Sequence, residues 1–187
     1  MLNDGADMIA KTGATLIHSF ENEDVMAGQG TAAVELLEDV DVELVMCPVG
    51  GGGLLSGTAV AAKSLRPKIK VIAVEPANAD DAAQSFRAGR LIQTEKKFTI
   101  AYGLRTNVGE PNFAIIKRYA DDIVTVSEDA IIFAMRTIWE TMKIIVEPSA
   151  AVPFAAIQDR KIDVAEKRVG IILTGGNVDL DALPWNR

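Results

Sequence analysis

The residues from Val42 to Gly57 form an apolar run, Val42-Glu43-Leu44-Val45-Met46-Cys47, then Pro48 and Val49, four consecutive glycines from Gly50 to Gly53, and a helical pattern from Leu54. Four glycines in a row add nothing to packing. They allow positive φ and leave several backbone N–H groups unobstructed beside a helix N-terminus, which suits a phosphate. A triphosphatase loop needs Lys and then Ser or Thr after its last glycine, whereas Leu54 and Leu55 follow here. A dinucleotide site fits the spacing better. Gly51-x-Gly53-x-x-Ser56 is close to the dinucleotide fingerprint, and Glu75 ends the next apolar run about twenty residues on, where a ribose-binding acid would sit. Spacing leaves a dinucleotide and another phosphate-bearing ligand both open. A second glycine turn, Leu173-Thr174-Gly175-Gly176-Asn177, also follows an apolar run and places a hydroxyl and an amide at its end. Open α/β sheets bind ligands at the carboxyl ends of their strands, so two such turns imply one shared crevice. Unrelated turns with nothing bound are the bland alternative.

Elements that could position these loops alternate along the chain. Short Val- and Ile-rich runs predict strands at Ala14 to His18, Val42 to Cys47, Lys70 to Val74, Asp122 to Val126 and Arg168 to Leu173. Helical spacing predicts helices at Gly30 to Glu38, Leu54 to Leu65, Asp80 to Ala88, Asn112 to Tyr119, Glu128 to Met142 and Pro148 to Gln158. In the clearest of these, Ser127 is a capping residue and Glu128 and Asp129 occupy the positive first turn, while Ile132, Met135, Trp139 and Met142 recur as a core-facing stripe. Alternation of this kind predicts an α/β fold, an open and mostly parallel sheet flanked by helices.

Composition narrows the function classes. With 187 residues, 49% hydrophobic and 24% charged, the chain is globular and long enough for one sizeable core. A net charge of -7, with no basic run, gives no footprint for nucleic acid or an anionic membrane surface. One cysteine, Cys47, excludes a disulfide framework and fits a reducing compartment; it reads as a buried strand thiol. One histidine, His18, excludes paired-His metal chemistry and reads as a strand-end residue. No basic-then-apolar leader opens the sequence, which reads as cytoplasmic.

Several segments carry a family resemblance: Val49-Gly50-Gly51-Gly52-Gly53-Leu54, Glu75-Pro76-Ala77-Asn78-Ala79-Asp80-Asp81, Ile100-Ala101-Tyr102-Gly103, Glu147-Pro148-Ser149 and Thr174-Gly175-Gly176-Asn177-Val178-Asp179. In this order they resemble the later part of the serine/threonine dehydratases, pyridoxal-phosphate (PLP) enzymes of fold type II that include serine racemase and threo-3-hydroxyaspartate ammonia-lyase. Gly103-Leu104-Arg105-Thr106 and the ending Asp179 to Trp185 look most like the hydroxyaspartate lyases. The resemblance implies a tryptophan-synthase-β-like fold, incomplete here, with residues 1–25 a remnant of the small domain and 26–187 the large cofactor-binding domain without its N-terminal segment.

For the site, the resemblance implies that Gly50, Gly51, Gly52 and Gly53 hold the cofactor phosphate, Thr174 bonds the pyridine nitrogen, and Gly103 and Glu147 line the same crevice. A neutral hydroxyl at the pyridine nitrogen favours prompt β-elimination. Glu75, the Ala79 carbonyl and Asp81 resemble a divalent-cation site, and three oxygen ligands suit magnesium, calcium or manganese. Alternatively, Asp80 and Asp81 simply favour the start of a helix. The family's Schiff-base lysine and its substrate-gripping loop belong to an earlier segment, and none of the ten lysines here has that context, so no catalytic residue is assigned. Tyr102 stands where the family usually has Asp. The implied activity is ammonia loss from a small hydroxy amino acid such as serine, threonine or threo-3-hydroxyaspartate, by a homodimer in the complete enzyme. The alternatives are a non-catalytic PLP-binding fragment or pseudoenzyme, and, if the family match is accidental, a Rossmann dinucleotide module.

Overall fold

A computed structural model describes residues 8–95 and 98–186. Four strands, β1 (Leu44–Pro48), β2 (Lys70–Pro76), β3 (Asp122–Val126) and β4 (Val169–Ile171), form one parallel sheet in the order β3-β2-β1-β4. Among the described residues, beyond a helical stretch at 8–12, the helices are α1 (Glu23–Asp39), α2 (Gly53–Leu65), α3 (Asp81–Ala88), α4 (Glu110–Tyr119), α5 (Glu128–Met142) and α6 (Pro148–Gln158). The chain steps outward from β1 to β2 to β3, then returns to place β4 on the other side of β1. Strand order therefore reverses between β1 and β4, and the loops at their carboxyl ends diverge around a crevice.

Both faces of the sheet are covered, and the period-2 alternation of strands distributes the core between them. Val45, Cys47, Val71, Ala73 and Ile123 pack with residues of α1 to α4 on one face. Leu44, Met46, Ile72, Val74, Val124 and Val126 pack against α5 and α6 on the other. Burial of these strands explains why they read as continuous apolar runs.

Three expectations change. The helix expected from Gly30 starts at Glu23, capped by the Asn22 side chain, which accepts the Val25 N–H at 3.0 Å. Gly30 lies inside this helix because α1 and α2 cross there in backbone contact: a Cβ on Gly30 would meet the Gly57 carbonyl oxygen at 2.8 Å. Residues 14–18 form no strand, since they pair with none of the four strands, and residues 14–17 are exposed. His18 accordingly sits in a turn, its Nδ1 accepting the Glu21 N–H at 3.1 Å and its ring edge-on to Phe20. In α5 the buried face is Ala130, Ile131, Ala134, Met135 and Ile138, rotated from the expected stripe. Met142 is exposed, and Trp139 lies at the border, donating Nε1–H to the Val146 carbonyl.

At the amino-terminal edge of the sheet, Asp121 ties three elements together. Its carboxylate accepts from Lys63 Nζ at 2.6 Å, Lys70 Nζ at 2.9 Å and the Val71 N–H at 2.8 Å. Partial burial works to raise this carboxyl's pKa, but the Lys63, Val71 and Lys70 hydrogen bonds and the Lys63 charge outweigh it and hold the pKa below the usual value. A depressed folded-state pKa stabilises the fold above the unfolded pKa and loses that contribution as pH falls through the folded one. Asp121→Asn should lower stability at pH 7 by about 1–2 kcal/mol. The gap between the thermal melts of the two proteins should begin to close below about pH 4 and vanish as pH falls through the folded-state pKa.

Candidate functional site

A cleft of about 370 Å³ opens at the strand-order reversal, lined by Gly50 to Gly53, Gly103, Glu147, Ser149 and Thr174. The two glycine turns do share one crevice. Gly52 has φ 96 and caps α2, so the chain turns from β1 into the helix through a left-handed residue. The Gly51 carbonyl is drawn away from the cleft by the Gly109 N–H at 3.0 Å and Asn112 Nδ2 at 2.8 Å. Among the described residues, no acceptor meets the buried N–H groups of Gly50, Gly51 and Gly52. Unpaired buried donors beside the N-terminus of α2 fit an anion such as a phosphate.

Phe20 closes one side of this cradle, and no sequence signal pointed to it. A Cβ on Gly51 would meet the Phe20 ring at 2.4 Å, and one on Gly53 would meet the Phe20 Cα at 3.1 Å. Asn112 fastens Phe20 to the glycine loop by donating to the Phe20 carbonyl at 2.9 Å as well as to Gly51. Ser19 and Gln29 also line the cleft without having been singled out, while Thr106 and Ser149 lie in segments that carried the resemblance but were given no role.

The opposite wall joins three segments. Gly103 belongs to a single 3-10 turn, Tyr102–Leu104, and its N–H donates to Ser149 Oγ at 3.1 Å. Glu147 precedes Pro148 at the start of α6, and its own N–H donates to the Gly175 carbonyl at 3.0 Å. The Tyr102 hydroxyl donates toward Glu147 Oε2 at 2.6 Å and also contacts the Asn177 carbonyl oxygen. Partial burial, the hydrogen bond to Glu147 and that carboxylate's charge push the Tyr102 phenol up to about 12. It keeps its proton at ordinary pH. Thr174 is exposed at the rim, and no lysine or arginine lines the cleft among the described residues.

Glu75, Ala79 and Asp81 lie elsewhere. All three are buried, and none lines the glycine cleft. Glu75 accepts the Ala82 and Ala83 N–H groups at the start of α3 at 3.2 and 3.0 Å, while Asp81 accepts the Val108 N–H at 2.7 Å. Glu75 therefore faces α3 and is not presented to a ribose in the cleft, which removes the main support for the dinucleotide alternative. No group of three or more His, Cys, Asp or Glu side chains comes together for a metal among the described residues. Cys47 is buried, and burial pushes its thiol up to about 12, so it offers no thiolate.

Residues 3–175 match the family model described as "Pyridoxal-phosphate dependent enzyme". The chain is similar to the β-hydroxyaspartate dehydratase of Paracoccus denitrificans, 45% identical over 182 residues, covering 97% of this chain and 58% of that protein. It is similar to the serine racemase of Dictyostelium discoideum, 50% identical over 181 residues and covering 94% of this chain and 56% of that one. Among solved structures, maize serine racemase superimposes with a TM-score of 0.92 at 40% identity, covering 99% of this chain and 58% of the maize chain. The chain thus spans little more than half the length of these relatives.

Gly52 is the cradle glycine with a left-handed backbone. A Cβ there would meet Asn112 Cβ at 2.9 Å and Ile116 Cδ1 at 3.0 Å, besides forcing a left-handed backbone on an L-residue. Gly52→Ala should cost about 1–3 kcal/mol of stability in a urea titration. Gly28→Ala, where a Cβ meets nothing within 4 Å in helix α1, should instead stabilise by about 0.5–1 kcal/mol.

Proposed function

The chain belongs to the pyridoxal-phosphate dependent enzymes, and on that premise we propose that it serves a dehydratase-type ammonia-lyase acting on small hydroxy amino acids, threo-3-hydroxyaspartate, serine or threonine. The observation that carries this reading is that Gly50 to Gly53 and Thr174 line one cleft, the N–H groups of Gly50, Gly51 and Gly52 having no acceptor among the described residues. Gly50 to Gly53 would hold the cofactor phosphate through backbone donors and the N-terminus of α2. Thr174 would offer a neutral hydroxyl to the pyridine nitrogen, while Gly103 and Glu147 would border the ring. When bound, the cofactor supplies an electron sink for cleavage of bonds at the substrate α-carbon. The names of the relatives, a hydroxyaspartate dehydratase and a serine racemase, support a small hydroxy amino acid as substrate.

A second reading, a chain that binds PLP without turning over substrate, is favoured by the absence of any lysine from the cleft lining among the described residues. Both readings require the cofactor, and a titration tests them together. PLP should bind saturably, with NAD giving no response. NAD binding without a PLP response would overturn both. Ammonia release from the three substrates, followed alongside borohydride trapping of PLP, separates the two. Near-zero values for both support cofactor binding alone, because orientation without a positioned base forgoes about 10²–10⁴-fold in rate.

Buried Glu75 and Asp81, with the Ala79 carbonyl, are also proposed to take a divalent cation. Both carboxylates and the carbonyl are buried oxygen donors, and an all-oxygen donor set matches magnesium, calcium or manganese. A cation that binds only the folded state should raise Tm by mass action. Asp81→Asn should abolish that rise, and an unchanged Tm in excess of all three cations counts against the site.

A further inference from the structure

We propose that Tyr102 is a positioning residue, a strap whose phenol ties the 102–104 turn to Glu147 and to the 174–177 loop and so fixes the side of the cleft that meets the ring of a bound cofactor. This rests on the PLP reading above. The three tethered segments are far apart in sequence, with Tyr102 bridging 45 residues to Glu147 and 75 to Asn177. The loop itself is exposed and held mainly by its backbone: Gly175 accepts from Glu147 N–H, and Val178 N–H closes back on Gly176. Among the described residues, the Tyr102 hydroxyl, shared between Glu147 Oε2 and the Asn177 carbonyl oxygen, is the only side-chain donor in contact with residues 174–177.

Contact from the other side makes the tether decisive. A Cβ on Gly176 would meet the Ile145 carbonyl oxygen at 2.4 Å, so the loop is already pressed against the segment leading into α6. Glu147 is held between these parts. Its Oε2 takes the Tyr102 hydroxyl, and its Oε1 lies 3.6 Å from where a Cβ of Gly175 would be. The phenol is a donor that does not ionise near neutral pH, so it orients the Glu147 carboxylate without contributing charge. The phosphate cradle at Gly50 to Gly53 makes no hydrogen bond with Tyr102. Loss of the phenol should therefore disturb recognition of the ring and leave recognition of the phosphate intact.

Tyr102→Phe deletes only the hydroxyl and tests this directly. Equilibrium dialysis of the purified chain should show PLP affinity weakened about three- to tenfold, as for loss of one hydrogen bond, with a changed absorption maximum of the bound cofactor. Inorganic phosphate, measured by calorimetry, should bind both proteins equally. Glu147→Gln is the second variant, and the Tyr102→Phe/Glu147→Gln double variant should bind PLP no worse than the weaker single one, because the two groups act as a unit. The strap is overturned by wild-type PLP affinity and spectrum in Tyr102→Phe, by additive losses in the double variant, or by equal losses of PLP and phosphate, which mark a merely structural role. A wild-type chain that binds phosphate but not PLP removes the cofactor reading first and the strap with it. Wild-type binding of PLP with an indifferent Tyr102→Phe sinks the strap alone.

Discussion

A peptide N–H buried without an acceptor costs on the order of 1–3 kcal/mol, and the end of β1 concentrates in one loop three residues whose N–H groups meet no acceptor among the described residues. The structure is organised around carrying that cost. Glycine at 50 to 53 lets the backbone come close to Phe20, Leu104 and Asn112, where a Cβ would collide at Gly51 and Gly52 and be tightly crowded at Gly50 and Gly53. Asn112 and Gly109 turn the Gly51 carbonyl away from the cleft, leaving donors to face it. Behind the loop, β1 is buried along its whole length between two helical layers. A strand so enclosed resists the local collapse that would otherwise satisfy the unpaired groups.

The electrostatics of the cleft run against those of the whole chain. At a net charge of -7 the protein has no general attraction for an anion. Nor does a lysine or arginine line the cleft among the described residues. Positive potential there comes from aligned peptide dipoles, the N–H groups of the glycine loop and the N-terminus of α2, which act only over short range. Such a site selects by shape and donor geometry. The reversal of strand order then brings the 174–177 loop across from it, so that the cradle and the opposite wall belong to neighbouring strands separated by more than 120 residues of chain.

Much of this was legible in the residues. The parallel sheet followed from Val- and Ile-rich runs separated by helical patterns, and β3 and α5 have the expected boundaries. The cleft followed from glycines at two strand ends. What escaped was contact between distant segments. Helical spacing began the first predicted helix at Gly30, whereas Gly30 sits mid-helix where α1 meets Gly57 of α2. The strand expected at 14–18 has the right residue types but no neighbour with which to exchange hydrogen bonds. In α5, two adjacent apolar stripes compete, and only the position of the sheet selects Ala130, Ile131, Ala134, Met135 and Ile138 for burial.

The sequence by itself determined the backbone conformations and the alternation of faces, because φ/ψ preference, capping and period-2 patterning act within a few residues. It also determined the backbone freedom at the end of β1, since a glycine lacks a Cβ wherever it is placed. Tertiary structure alone decided which side chains complete the site. Phe20, Asn112 and Tyr102 reach it across 92, 61 and 45 residues of sequence, to Asn112, Gly51 and Glu147 respectively. It also decided that Glu75 turns to α3 and away from the cleft, because the side-chain direction at a strand end depends on which N–H groups the following helix presents.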